Sequence, residues 1–299
     1  MNMLTRSLAL AVLMLSTVNA VADTGKLLLT GGVSSIDGVA GGGLTPWALT
    51  GTNATRGEIG ASAFITGVRT QDYGLTVSGL GLAWDDRFEV TLAHQDLDAR
   101  SNLAPLGLDG LHLKLDIVGI KLRVAGEGVL DSDSLMPQVA IGAEFKHADT
   151  SALGPTLVGP LGARAGGTDL YVSATKLFLA HGILVNATLR ATQANQNGLL
   201  GFGGAQASGT RLQGEFSIAC LITRKLAIGI EGRAKPDNLN RSVLGDGALK
   251  EDDWVDAFIA WAPNKNVSLT LAYVDLGRIA PAVQPRRQTG TYLSAQVAF

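Results

Sequence analysis

Apolar and polar positions alternate along most of this chain. The clearest stretch is Arg211–Thr223, where Leu212, Gly214, Phe216, Ile218, Cys220 and Ile222 share one face. Arg211, Gln213, Glu215 and Ser217 share the other. A helix would mix these two sets, whereas a strand separates them. In 183–192, Ile183, Val185, Ala187, Leu189 and Ala191 likewise oppose Asn186, Thr188, Arg190 and Thr192. In 226–235, Leu226, Ile228 and Ile230 oppose Glu231, Arg233 and Lys235.

The same reading predicts further strands over 43–52, 57–69, 73–84, 87–99, 111–125, 136–148, 168–180, 252–263, 266–277 and 289–299. In 111–125 the apolar phase switches at Ile117-Val118, which predicts a β-bulge or a change of tilt. In 168–180 the alternation fails at Lys176-Leu177. Tight turns are expected at 84–86, 180–182, 223–225 and 263–265. Longer connections rich in Gly, Asn, Asp, Ser or Pro are expected at 100–110, 149–167, 195–210, 239–251 and 278–288. Short turns alternating with long loops are the rhythm of a bacterial outer-membrane barrel, with the turns periplasmic and the loops outside.

The expected fold is therefore all-β: a single antiparallel transmembrane β-barrel of 12–14 strands. The segments above number 13. Bacterial barrels have even strand numbers, so 26–30 (KLLLT) is read as an added first strand and 14 is favoured. The Gly-rich stretch 31–43 is too polar to face lipid and reads as an outer loop or a segment tucked into the lumen.

The ends fit export. Arg6, the apolar run 8–15 and the small-x-small site at 20–22 read as a secretory signal peptide over 1–22, leaving 23–299 as the barrel. That run is shorter than the roughly 20 residues a membrane-spanning helix needs. The last strand places Leu293, Ala295, Val297 and Phe299 on one face. A terminal Phe on an amphipathic strand reads as the signal for the barrel-assembly machinery, which is the expected partner in biogenesis alongside outer-membrane lipid.

Mean hydropathy is +0.23 with 38 glycines, and no segment after the leader forms a continuous apolar run of helix length. Apolar surface without spanning helices can meet lipid only on a closed barrel. Loss of Arg6 with the leader takes 24 basic side chains to 23 against 26 acidic ones, which speaks against a nucleic-acid partner. Cys220 stands alone, so no intrachain disulfide can form.

Several stretches resemble a family of Gram-negative proteins known as domain of unknown function 3034. They are 29–47 (LTGGVSSIDGVAGGGLTPW), 171–179 (YVSATKLFL), 184–204 (LVNATLRATQANQNGLLGFGG), 235–239 (KPDNL) and 262–277 (APNKNVSLTLAYVDLG). The resemblance spans nearly all of the chain after the leader and implies an exported outer-membrane barrel. It implies no activity and carries over no functional residue.

Candidate chemistry lies on the polar phase. Glu58, Glu89, Glu144, Lys146, Arg190, Arg211, Glu215, Glu231, Arg233 and Lys235 are expected to line the lumen. They would form either a salt-bridged interior or a polar passage, and neither sign of charge dominates. His94, His112, His147 and His181 show no ligand spacing, so no metal or cofactor is expected. His94 with Asp96 and a nearby Ser is the one conceivable start of a hydrolase, a weaker reading than polar residues near strand ends. The leading expectation is a passive channel or transporter for small polar or amphipathic solutes, not an enzyme. The alternative is a closed accessory barrel that presents its loops to a partner.

Overall fold

Period-two patterning gives long strands with two unlike faces, and such strands satisfy all their backbone groups only by closing on themselves. In the computed structural model, which describes residues 26, 28–29, 33–127 and 135–299, they do so. Twelve antiparallel strands form one closed barrel in sequence order: β1 Ile59–Thr70, β2 Gly74–Trp84, β3 Phe88–Asp98, β4 His112–Ala125, β5 Gln138–Asp149, β6 Gly166–Phe178, β7 Ile183–Thr192, β8 Arg211–Thr223, β9 Leu226–Arg233, β10 Trp254–Trp261, β11 Val267–Asp275 and β12 Thr289–Ala298. β12 closes on β1 in the register Ser62↔Ala298 to Thr70↔Gly290.

The strand number is 12, and the expectation of 14 is corrected on two segments. Residues 43–52 form no strand and are buried throughout, inside the barrel. Gly41 to Gly43 and Pro46 hold this stretch in turns, with only the isolated bridges Ser34↔Ala40 and Gly41↔Pro46. Of 26–30, Lys26 has no regular structure and Leu28 and Leu29 lie in a turn, while 27 and 30 fall outside the described residues. The predicted signal peptide, 1–22, also falls outside them.

One end of the barrel carries the turns after β2, β6, β8 and β10 together with Phe299; the other carries the connections 99–111, 150–165, 193–210, 234–253 and 276–288. By the outer-membrane pattern the first end is periplasmic and the second is outside. Two connections break the rhythm: 126–137 is long for the periplasmic end, and 71–73 is short for the outer one.

The outward positions form an apolar belt, including Leu80, Leu92, Phe145, Leu189, Ile218 and Ile259, each roughly half exposed. Trp84, Trp261 and Tyr273 stand on this outer face, but Trp254 is buried under the outer loops and belongs to no interfacial girdle. The belt is the surface that lipid covers, and the protein is an outer-membrane barrel.

No bulge occurs at Ile117-Val118. Inward and outward positions alternate without a break from His112 to Lys121, and the irregularity falls between Arg123 and Ala125. The apparent phase switch has another cause. Near the outer end of β4 the inward residues Leu113, Leu115 and Ile117 are apolar, while the outward ones, His112, Lys114 and Asp116, are polar. Above the belt the wall meets water outside and packed loops inside, so the pattern inverts while the strand runs on.

Candidate functional site

A barrel of about eight strands is filled by its own side chains, whereas sixteen or more leave an aqueous channel. Twelve strands leave room for more than side chains, and here residues 33–54 occupy it. This plug enters at the periplasmic end, turns back on itself twice, and is buried almost throughout.

The first turn is closed by Ser35 N donating to Val39 O at 2.9 Å and Gly38 N donating to Ser35 O at 2.9 Å. Gly38 has φ +94, and a Cβ there would lie 2.7 Å from that of Ala93, so glycine is required on two counts. The turn presents Asp37 to the wall. Its carboxylate takes a hydrogen bond from Arg233, lies 3.4 Å from Arg190 Nη2 and 3.1 Å from Lys146 Nζ, and accepts from Asn197 Nδ2 at 2.7 Å. Behind it Lys146 meets Glu144 at 3.1 Å and Asp169 at 2.9 Å. Arg190 meets Glu144 at 2.6 Å and Glu215 at 2.5 Å, and Arg233 meets Glu215 at 3.2 Å.

Lower in the barrel the plug is held by its backbone. Glu231 accepts from Leu44 N at 2.7 Å and from Thr45 Oγ1 at 2.9 Å. Glu89 accepts from Ala40 N at 3.0 Å and Gly51 N at 2.6 Å, while Lys121 donates to Ala40 O at 2.7 Å and Leu49 O at 2.9 Å. Pro46 O accepts from Ser173 at 3.1 Å, Thr188 at 2.9 Å and Asn186 at 3.2 Å. Trp47 Nε1 donates to Ser217 Oγ at 2.8 Å. The plug thus supplies the backbone partners that buried wall polar groups require.

The outer loop 195–204 also folds inward. Gln196 and Asn197 adopt positive φ, +45 and +63, which turns Asn197 down onto Asp37, Lys146 and Arg233. Asn tolerates that conformation better than most residues. Gln196 N donates to Glu251 Oε2 at 2.8 Å, which ties the loop to 234–253. Two cavities of about 30 Å³, one below the charge cluster beside Trp47 and Phe258 and one above it beside Gln196 and Trp254, are room for water and nothing larger.

Of the residues expected to line the lumen, Glu89, Glu144, Lys146, Arg190, Glu215, Glu231 and Arg233 face this buried interior. Lys235 lies just beyond β9 at the outer mouth, 3.5 Å from Glu251 and 3.6 Å from the centre of the Trp254 ring. Burial lowers its pKa to about 8. Glu58 and Arg211 are placed apart from the others. Glu58 caps the loop at the periplasmic rim, accepting from Thr55 N at 2.7 Å, and Arg211 is exposed at the outer end of β8. The sequence reading missed Asp37, Asp169, Lys121 and Asn197. Lys121 follows the inverted part of β4, and Asp169 sits on the strand whose alternation fails; Asp37 and Asn197 lie outside any strand.

On the outer face, His94 pairs with Asp116, Nδ1 to Oδ1 at 2.7 Å, and not with Asp96, which pairs with His112 at 2.6 Å. Among the described residues no three metal-ligating side chains gather.

Among solved structures, the KdgM porin superposes with a TM-score of 0.50 at 8% identity, over 80% of this chain and 99% of that one. The NanC porin gives 0.48 at 7%, over 79% and 98%, and an outer membrane channel from Pseudomonas putida F1 gives 0.45 at 11%, over 83% and 97%. The likeness to the KdgM porin is one of fold. No curated protein gives a significant match. Residues 30–296 match the family described as Protein of unknown function (DUF3034), and the chain belongs to it.

Proposed function

We propose that this porin-like barrel is a passage for small polar solutes, held shut by its own residues 33–54. The observation that carries the reading is how the plug is held. Ile36, Leu44, Trp47 and Leu49 join an apolar cluster with wall residues such as Phe64 and Phe258, but the hydrogen bonds and ion pairs that seat the plug run through polar partners, Glu89, Lys121, Glu231, Ser173, Thr188 and the cluster around Asp37. Water and polar solutes can replace such partners one for one, whereas an apolar interface would leave a greasy bore. With the plug withdrawn, those side chains line the passage. Lys146, Arg190 and Arg233 then stand against Glu144, Asp169 and Glu215, so this charged patch on β5–β9 is balanced in sign. The acids and bases of the cluster around Asp37 are engaged with one another, and Glu231 is held by Leu44, Thr45 and Ser217, so we read the interior as non-catalytic.

The test is conductance in planar bilayers. The intact protein should stay closed for most of a recording, and a variant lacking 33–54 should conduct steadily. A folded, inserted variant that remains silent at all voltages would sink the reading.

A second reading is a closed accessory barrel whose outer loops meet a partner. It is favoured by the ties among 195–204, 234–253 and 276–288 through Glu251, Asn238 and Asp252. Crosslinking from these loops in intact cells tests it, and failure to capture a partner from any of the three removes its support. In biogenesis, Leu293, Ala295, Val297 and Phe299 are read as the assembly-machinery signal; Leu293 is exposed on the lipid side, and Phe299 N donates to Ala61 O at 2.8 Å on the closing seam.

A further inference from the structure

The outer face of β2–β4 holds an arrangement that neither the passage nor the belt uses. The strand registers place Ser78 opposite His94 and His94 opposite Asp116. All three point outward. His94 Nδ1 meets Asp116 Oδ1 at 2.7 Å. With Nδ1 engaged on the β4 side, the other ring nitrogen is left for the β2 side, where Ser78 stands. Directly opposite residues on neighbouring strands have Cβ atoms about 4.5–5.5 Å apart, which is the reach of a serine hydroxyl to an imidazole after small rotamer changes. The order hydroxyl, imidazole, carboxylate is the one in which imidazole serves as general base and the carboxylate fixes its tautomer.

Its place on the wall suggests the substrate. One register row towards the periplasm the outward residues are Leu80, Leu92 and Val118; one row towards the outside they are Thr76, Asp96 and Lys114. The three residues therefore sit where the apolar belt gives way to polar surface, at the depth of lipid ester groups. They share a groove of about 750 Å³ with Ile65, Leu80, Leu92 and Val118, an apolar bed for an acyl chain.

We propose that Ser78, His94 and Asp116 form a lipid-facing esterase site that cleaves fatty-acyl esters at the outer membrane surface. Ser78 Oγ bonds to the acyl carbonyl carbon while its proton passes to His94, and the carbonyl electron pair moves onto oxygen. Collapse breaks the ester bond, and the leaving alcohol takes the proton from His94. Water, giving a proton to His94, then attacks the acyl–Ser78 ester; the fatty acid departs and Ser78 regains its proton. One ester and one water yield one acid and one alcohol. Ser78 and His94 are the catalytic residues, and Asp116 is a positioning residue that acts through His94.

His112 supplies an internal comparison. It pairs with Asp96 at 2.6 Å, but its register neighbour on β3 is Asp98, followed on β2 by Gly74, so no hydroxyl faces it.

The experiment uses the whole barrel in mixed micelles of detergent and phosphatidylcholine. Fatty-acid release and covalent labelling by an alkyl fluorophosphonate are followed together, with heat-modifiable gel migration as the check that each variant is folded. The expected result is release by the unaltered protein, labelling at Ser78 by mass spectrometry, and loss of at least about 10³-fold in turnover for Ser78→Ala and His94→Ala. Asp116→Asn should slow turnover and displace its pH profile, while His112→Ala should match the parent. Absence of both release and Ser78 labelling in the unaltered protein overturns the proposal, as does full turnover by folded Ser78→Ala. The site lies on the opposite side of the wall from the plug, so a silent barrel in conductance tests leaves it standing.

Discussion

Replacing Asp37 by Asn tests whether the plug is held electrostatically. Breaking a buried ion pair costs about 3–5 kcal/mol when it strands a buried charge. Here no wall cation is stranded, because Lys146 keeps Glu144 and Asp169, Arg190 keeps Glu144 and Glu215, and Arg233 keeps Glu215. The loss falls on the plug alone. A hydrogen bond to a charged group contributes about 1.5–3 kcal/mol, and Asn retains an oxygen that still accepts one of them. A net loss of about 2–3 kcal/mol follows, which multiplies the unseated fraction roughly 30- to 150-fold. Single-channel recording should show that rise in open probability, and added protease should cut 33–54 faster. Glu58→Gln, at the periplasmic rim and outside the cluster, is the control and should leave both unchanged. An Asp37→Asn barrel with the parent's open probability and protease resistance would refute the electrostatic account of the seat.

Other outcomes follow from single contacts. Gly42→Ala would set a Cβ 1.6 Å from Glu231 Oε1, a clash with a carboxylate already held by Leu44, Thr45 and Ser217, so it should raise conductance through a plug destabilised by about 1–3 kcal/mol. Arg278 holds the Asp252 carboxyl, at 2.8 and 2.9 Å, down to a pKa of about 2. This tie between 234–253 and 276–288 should persist at pH 4 and fail as pH falls through about 2, and Asp252→Asn should release it at neutral pH; hydrogen exchange in the two loops reads both. Deleting Phe299 should lower the yield of heat-modifiable barrel in the outer membrane far more than substituting the rim residue Arg211, measured by fractionation.

The wall was legible because half of it is selected by lipid. Along β7–β9 alternation names both faces, and Glu215, Glu231 and Arg233 fell on the buried side as the pattern implies. The first half of the plug was legible only as one of two alternatives for 31–43, a segment tucked into the lumen, and the second half was not legible for a related reason. Leu44, Trp47 and Leu49 are apolar because they are buried inside the barrel, and a sequence does not distinguish that burial from burial in lipid. Segment 43–52 therefore read as a strand and pushed the count to 14. Asp37 carries no local mark at all: its partners lie 109, 153 and 196 residues away. Ser78 and Asp116 were hidden likewise, since a cross-strand row exists only once the registers are set, and Asp96 was nearer to His94 in sequence.

The root of the plug is fastened to the end of the chain. Asn53 donates through its side chain to Lys265 O at 2.8 Å and Ala298 O at 2.9 Å, and its backbone N lies 3.4 Å from Phe299 O. A segment that precedes β1 is thus stitched to residues flanking β11 and β12. Until β12 docks on β1 those acceptors are not assembled, so the stopper is secured only in a closed vessel.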